Sequence, residues 1–121
     1  MRAIKIMPGQ RPEVINISSD YKELRNIIGG IVEYVPMEKN LMLLCDEEFK
    51  LKNLELNRRV EGINIAGPIL IIGGPEDEES VLTGLTDEDI VELKSKYMEI
   101  PTFTDEEKKQ VPIIEAKIIS W

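Results

Sequence analysis

Two short runs of consecutive apolar residues constrain the fold of this chain more than any other feature of its sequence. Leu41–Cys45 and Ile69–Ile72 contain no polar side chain, and turn-forming residues flank both runs. Apolar runs of this length that are bounded by turn signals are typical of strands buried on both faces of a sheet. Leu41–Cys45 is therefore predicted to be a central strand, and Ile69–Ile72 is the strongest candidate for a buried strand.

Shorter β-type patterns on the N-terminal side predict two hairpins. Arg2–Met7 and Glu13–Ile17 are rich in Ile and Val and are separated by a Pro-Gly turn signal. Ile31–Val35, which is predicted to stop at Pro36, pairs with Leu41–Cys45 across a short polar turn. Strands joined by such short turns run antiparallel.

Two further segments carry helix-start signals. The first helix begins at Asp20, which resembles the first residue of a capping box, and ends at Gly29-Gly30 because glycine accepts the left-handed cap conformation. The second begins at Thr86, which forms a capping box with Asp89, and stops before Pro101. The chain is therefore predicted to have two main helices.

These elements predict an α+β fold in which a mixed, mainly antiparallel sheet packs with two main helices, in the order β-β-α-β-β-β-α plus a C-terminal strand. Residues 1–100 are predicted to form a single α+β domain. Residues 101–121 are predicted to be an extension with a helical turn at Thr104–Glu107 and a strand at Ile113–Trp121. That apolar strand either joins its own sheet or pairs with a second copy, so a homodimer through residues 113–121 is the alternative.

The 121 residues include no His and a single Cys, Cys45. The absence of His excludes imidazole acid/base catalysis, a Ser-His-Asp triad and the usual zinc sites. The acids that follow Cys45 oppose the ionisation that a nucleophilic thiol needs. The sequence therefore predicts neither a catalytic residue nor a metal or cofactor site.

The formal charge of −8 is unevenly distributed. Residues 1–60 hold ten basic and nine acidic side chains, whereas residues 61–121 hold five basic and fourteen acidic ones. One interpretation is a surface that binds a basic protein partner, for which the candidate residues are Glu76, Asp77, Glu78, Glu79, Asp87 and Glu88. The alternative is that these acids cap helix N-termini and aid solubility. Either interpretation argues against direct binding of nucleic acid.

Asn57, Arg58 and Arg59 lie in a segment that is predicted to be a loop or a short helix over the core. Two adjacent Arg side chains present forked N–H donors that suit phosphate or carboxylate. These residues are therefore candidates for binding a nucleotide or another small anion. The alternative is that the two Arg side chains pair with acids of this chain and that Asn57 caps a turn.

Glu33 is a further candidate for ligand binding. It alternates with Ile31 and Val35 on a predicted strand and so points to the same side as these two apolar residues. If that side faces the core, Glu33 is partly buried and binds a ligand or pairs with an Arg. If it faces solvent, Glu33 is an ordinary surface acid, and the pattern leaves both interpretations open.

The chain has no feature of a membrane or secreted protein. None of its apolar runs approaches the roughly 20 residues that a membrane helix needs. The N-terminal residues Met1–Lys5 are not followed by the apolar stretch of a secretory signal. A cytoplasmic location is therefore predicted, which is the host cytoplasm if a phage encodes the protein, and the single Cys fits a reducing compartment.

Three segments stand in a characteristic order and spacing: Ile28–Val35, Cys45–Asn57 and Ile65–Pro68. With the opening Met1–Pro8 and the helix start at Leu85–Glu88, they resemble a family of domains of unknown function, the DUF3846 type. The resemblance spans roughly residues 1–98. This family occurs in phages, plasmids and bacteria, often Gram-positive, so the resemblance implies a mobile-element origin, but it implies no activity and no catalytic residues.

The sequence thus favours a non-enzymatic binding protein of phage or mobile-element origin, which counters host defence by binding a protein partner through an acidic surface. The first alternative is a protein that binds or sequesters a nucleotide through Arg58 and Arg59. The second alternative is an enzyme of unknown class, for which the abundant carboxylates are the sole support.

Overall fold

The protein folds around a five-stranded sheet with one main helix on each face. A computed structural model describes residues 1–18, 20–74 and 82–108. In chain order the elements are β1 (Arg2–Ile6), β2 (Glu13–Asn16), α1 (Tyr21–Ile28), β3 (Val32–Met37), β4 (Leu41–Asp46), β5 (Leu56–Val60), β6 (Ile63–Ala66), β7 (Ile69–Gly73) and α2 (Asp87–Tyr97). The sheet has the strand order β2-β1-β7-β4-β3, and all neighbouring pairs are antiparallel. The predicted α+β class and mainly antiparallel sheet are confirmed.

The central strand β7 is buried on both faces, as its sequence predicts. The side chains of Ile69–Ile72 are all 0% exposed. Successive strand residues point to opposite faces, so Ile71 packs with Leu93 of α2 on one face. Leu70 packs with Leu24 of α1 on the other. The sheet is therefore the middle of three layers.

The segment around Asn57, Arg58 and Arg59 is a strand, so its prediction as a loop or short helix is wrong. It forms β5, which pairs with β6 in a separate two-stranded sheet on the α2 side of the main sheet. The buried positions of β5 include Asn57 and Arg58, and these polar residues obscure the alternation by which a strand is recognised. The turn signal was present: Glu61 and Gly62 connect the two strands with positive φ angles of 48° and 84°, as in a tight hairpin.

Strand β3 continues through Pro36 to Met37 and does not stop before the proline as predicted. It lies at the edge of the sheet, so half of its backbone groups have no neighbouring strand. The Ile31 carbonyl accepts from Glu47 N at 2.8 Å. In this register the backbone N–H and C=O groups of residues 31, 33 and 35 point towards β4, and those of the even-numbered residues point away from the sheet. Pro36 thus stands at an outward position, where the N–H that proline lacks would have no ladder partner.

The helix starts follow the predicted chemistry, with one difference. At α2, Thr86 Oγ1 accepts from Asp89 N at 3.1 Å and Asp89 Oδ2 accepts from Thr86 N at 3.0 Å, which completes a capping box. At α1, the Glu23 carboxylate accepts from the N–H of Ser18, so Asp20 caps the helix without a reciprocal bond. At α1 the backbone N–H of Asp20 donates to Ser18 Oγ, so the Glu23 carboxylate binds the N–H of Ser18, two residues earlier in the chain.

Residues 105–108 form the helical turn that is predicted near the C-terminus. The predicted strand Ile113–Trp121, and with it the proposed homodimer contact, lies outside the described residues. The division into residues 1–100 and 101–121 stays a prediction. Among the described residues, no helix is long and apolar enough to cross a membrane.

Because β7 is buried on both faces, we expect truncation of its side chains on either face to destabilise the protein. Leu70→Ala and Ile71→Ala should each lower the free energy of unfolding by about 2–5 kcal/mol, because each leaves a cavity in a different face of the sheet. Ile63→Ala is the matched control, since this side chain is 52% exposed, and it should change stability by about 0.5 kcal/mol or less. Urea unfolding measures all three. A large loss for only one of the two core variants would contradict a sheet covered on both faces.

Candidate functional site

Asn57 is buried inside the protein and holds separate parts of the chain together. Its side chain is 1% exposed, and Nδ2 donates to the carbonyl oxygens of Ile6 at 2.8 Å and Gly67 at 2.7 Å. These bonds join the end of β1 to the turn between β6 and β7. Asn57 is therefore a structural bridge and has no free donor for a ligand, since an amide carries two N–H groups.

Arg58 is also buried, and all of its hydrogen-bond acceptors are neutral oxygens. The side chain is 2% exposed. Nε donates to Tyr97 O at 3.3 Å, Nη1 donates to both oxygens of Asn57 at 3.0 and 3.1 Å, and Nη2 donates to Gln10 O. No carboxylate pairs with Arg58 among the described residues. Burial lowers the pKa of this guanidinium, but an arginine keeps its charge in a protein. Arg58 is thus a buried positive charge for which the described part of the chain provides no counterion.

Arg59 points away from Arg58 and anchors the outer segment, which we define as residues 98–108. Its Nη2 donates to both oxygens of Glu107, at 2.8 and 2.7 Å, and to Thr102 O at 3.1 Å. The guanidinium also stacks on the Phe103 ring, with Cζ 4.6 Å from the ring centroid. This ion pair agrees with the interpretation that Arg59 pairs with an acid of this chain.

Glu107 receives hydrogen bonds from several directions. Its carboxylate accepts from Thr104 N at 3.1 Å, from Arg59, and from Asn64 Nδ2 at 3.2 Å. The backbone hydrogen bond from Thr104 and the bond from Arg59 lower the pKa of Glu107 to about 2. The outer segment is thus fastened to the β5–β6 hairpin by a charge-assisted contact.

A cavity of about 610 Å³ lies between the start of β5 and the outer segment. Its apolar lining residues are Leu54, Leu56, Ile100, Pro101 and Phe103. Its polar lining residues include Asn53, Glu55, Thr102 and Lys108. We call this space the β5 cavity. Gly67 packs closely against the lining residue Leu54: a side chain there would place Cβ 2.7 Å from Leu54 Cδ1.

A second concavity of about 390 Å³ shares Pro101 and Thr102 with the β5 cavity and is therefore adjacent to it. The other lining residues are Arg58, Arg59, Lys96, Tyr97 and Glu99. Three of its side chains are cationic and one is anionic. We call it the basic cleft.

Glu33 lies outside this region. It is exposed on the edge strand β3, where it faces Cys45 on β4, and no hydrogen bond or ion pair joins it to Arg58 or Arg59 in the part of the chain described. Its surroundings are those of a surface acid. Burial, with Glu33 and Asp46 nearby, raises the pKa of the Cys45 thiol to about 12, so this cysteine is a poor nucleophile.

The predicted partner-binding acids separate into two groups. Asp87 and Glu88 lie exposed in the first turn of α2, where Asp87 forms an ion pair with Arg2. Val91, which is 71% exposed, lies beside them. Glu76, Asp77, Glu78 and Glu79 lie outside the described residues. Within residues 1–18, 20–74 and 82–108, no three Cys, Asp or Glu side chains are grouped so as to hold a metal ion.

Sequence patterns missed most residues of the two concavities. Ile100, Phe103 and Lys96 are ordinary residues at the end of a helix and after it, and nothing in their spacing points to β5. Leu54 and Leu56 alternate as strand residues do, which is the one local signal for this site. The remainder comes together because Arg59 and Glu107, which lie far apart in sequence, form an ion pair.

Comparison with known proteins gives one match. The sequence profile of a family described as a domain of unknown function, DUF3846, matches residues 1–98. Neither the curated proteins nor the solved structures contain a match. The matched range includes Arg58, Arg59 and Lys96, whereas Ile100–Phe103 of the cavity wall follow its end.

The Arg59–Glu107 pair makes a pH-dependent prediction. Glu107→Gln should lower the melting temperature at pH 7, because a neutral amide no longer pairs with the guanidinium of Arg59. The pKa of Glu107 is about 2 in the folded protein against 4.5 ordinarily. The carboxylate therefore stabilises the fold fully above pH 4.5, and this contribution disappears as the pH falls towards 2.

Thermal melts from pH 7 to pH 2 test this, with Glu106→Gln as the matched control, because Glu106 is exposed. The gap between wild type and Glu107→Gln should narrow below pH 4.5. A gap that persists at pH 2, or an equal effect of the control, would contradict the assignment.

Proposed function

We propose that this chain, which belongs to the DUF3846 family of domains of unknown function, is a non-enzymatic protein that binds a small molecule of the nucleoside or nucleotide class in the β5 cavity. The observation that carries the proposal is the cavity itself. Its volume of about 610 Å³ falls in the range of roughly 300–1,000 Å³ that is typical of small-molecule sites.

The lining suits a planar ligand that also forms hydrogen bonds. Leu54, Leu56 and Ile100 offer apolar surface to the faces of a ring, and Thr102 and Asn53 offer hydroxyl and amide groups to its edge. Ligand sites of this kind combine mostly apolar walls with a few convergent polar groups. A nucleobase has both properties.

The wall of the cavity is held in place before a ligand arrives. Arg59 fastens the outer segment through Glu107 and Phe103, and Asn57 and Arg58 fix β5 against β1 and α2. A preformed site avoids the cost of ordering side chains when the ligand binds. This rigidity favours a binding role for the outer segment.

We place this function in the setting that the sequence resemblance implies. A small protein of a phage or mobile element, present in the host cytoplasm, counters a host defence by sequestering the nucleotide on which that defence depends. This origin and this role are part of the proposal. The support for them is the resemblance and the shape of the cavity.

A calorimetric titration tests the proposal. The probes are adenosine, guanosine, cytidine and uridine with their monophosphates, and at least one of them should bind the wild-type protein. Ile100→Asp should lower that affinity at least about tenfold, because it replaces apolar surface that contacts the ligand with a charged carboxylate. Ile63→Asp is the matched control, since Ile63 is also exposed and does not line the cavity. The proposal is overturned if no probe binds, or if the two variants behave alike.

A second candidate function is the binding of a basic protein partner by α2. The observation that favours it is Val91, which is 71% exposed and surrounded by Asp87, Glu88 and Glu92. An apolar anchor with an acidic rim complements a basic surface that carries an apolar residue. Asp87 is already paired with Arg2, so Glu88 and Glu92 supply most of the charge.

Fluorescence anisotropy with a labelled peptide of alternating Lys and Leu tests this second function. Glu88→Gln should weaken binding several-fold at low salt, and this difference should shrink as salt rises, because exposed charges are screened. Glu13→Gln on β2 is the matched control, because Glu13 is exposed on a different element. Equal affinities for the two variants would exclude α2 as the docking surface.

A further inference from the structure

We infer that the basic cleft binds a phosphate group, which is the anionic part of a ligand whose remainder lies in the β5 cavity. The inference rests on the proposed function for the identity of that remainder. The phosphate site itself stands on the residues of the cleft.

Arg58 carries a buried positive charge that no carboxylate of the described residues neutralises. A guanidinium has five N–H donors, and in Arg58 one Nη2 N–H has no acceptor among the described residues. The bonds that are made all end on neutral oxygens. A buried charge without a counterion is costly, and an anion that enters the cleft relieves this cost.

Three cationic side chains line the cleft. Lys96 is an exposed lining residue of the cleft that also borders a concavity lined by Glu61, Asp89 and Glu92, and it forms no ion pair among the described residues. Arg59 adds a third cation, although its Nη2 already donates to the Glu107 carboxylate. Glu99 is the one acidic lining residue. With Glu99 and the paired Glu107 both counted, three cations face two acids, which leaves a surplus of one positive charge in a chain whose formal charge is −8.

These cations match a phosphate dianion in charge and in hydrogen-bonding capacity. The planar Arg58 supplies a directed N–H donor, and Lys96 supplies a mobile ammonium that adapts to a tetrahedral group. Charge-assisted hydrogen bonds from two cations favour an anion that carries two negative charges over a monovalent carboxylate. Phosphate is therefore the expected occupant, and acetate the weaker one.

The cleft lies beside the β5 cavity. It shares Pro101 and Thr102 with the β5 cavity, so one ligand that lies along the outer segment reaches both. A nucleoside monophosphate has this layout, with a planar base at one end and a phosphate at the other. Each half of such a ligand can be tested alone.

The experiment is a titration of inorganic phosphate, with acetate as the comparison anion, at low ionic strength. Wild-type protein should bind phosphate more tightly than acetate. Lys96→Gln should weaken phosphate binding at least about fivefold, since it removes the exposed cation that contacts the anion. Lys94→Gln is the matched control, because Lys94 lies on the same helix but does not line the cleft. Glu99→Gln should strengthen binding, because it removes the opposing charge.

Each outcome decides the matter. The inference is overturned if wild-type protein binds no phosphate, if acetate binds as tightly, or if Lys96→Gln and Lys94→Gln act alike. Adenosine carries no phosphate and therefore tests the β5 cavity alone: adenosine binding without phosphate binding retains the cavity and rejects the phosphate site. Phosphate binding without adenosine binding retains the phosphate site and rejects the nucleoside site.

Discussion

The arrangement of this protein around its candidate site depends on the buried hydrogen bonds of Asn57 and Arg58. These two neighbours connect β5 to the end of β1, to the loop that follows β1, to the turn after β6 and to the last carbonyl of α2. Each buried polar group left without a partner costs about 1–3 kcal/mol, so the network fixes where the hairpin lies. Because it is nearly satisfied, it specifies one position of β5 against the sheet.

The main sheet and the β5–β6 hairpin therefore have different roles. The sheet supplies stability, since β7 is buried on both faces and receives α1 on one side and α2 on the other. The hairpin supplies concave surface, since it forms a separate two-stranded sheet that packs on the main one and carries the outer segment on Arg59. The β5 cavity and the basic cleft both lie along β5 and the outer segment.

Local pattern was a good guide wherever a residue's partners are close in sequence. The capping box of Thr86 and Asp89 is an example, because both hydrogen bonds span three residues. Pattern failed at β5, because buried Asn57 and Arg58 make a strand look like a loop, and at Pro36, because a proline at a sheet edge breaks no bond. In both places the secondary structure depends on the neighbours that the fold brings to the strand: buried acceptors around β5, and an open sheet edge beside Pro36.

The sequence by itself determined the fold class, the two-faced burial of Leu41–Cys45 and Ile69–Ile72, and the exclusion of histidine chemistry, because composition and periodicity carry that information directly. It also singled out Asn57, Arg58 and Arg59 as unusual. Only the tertiary structure decided what these three do. Arg58 turns inward to neutral carbonyl oxygens, and Arg59 turns outward to a carboxylate 48 residues away. The choice depends on burial and on long-range contacts, which no local pattern encodes.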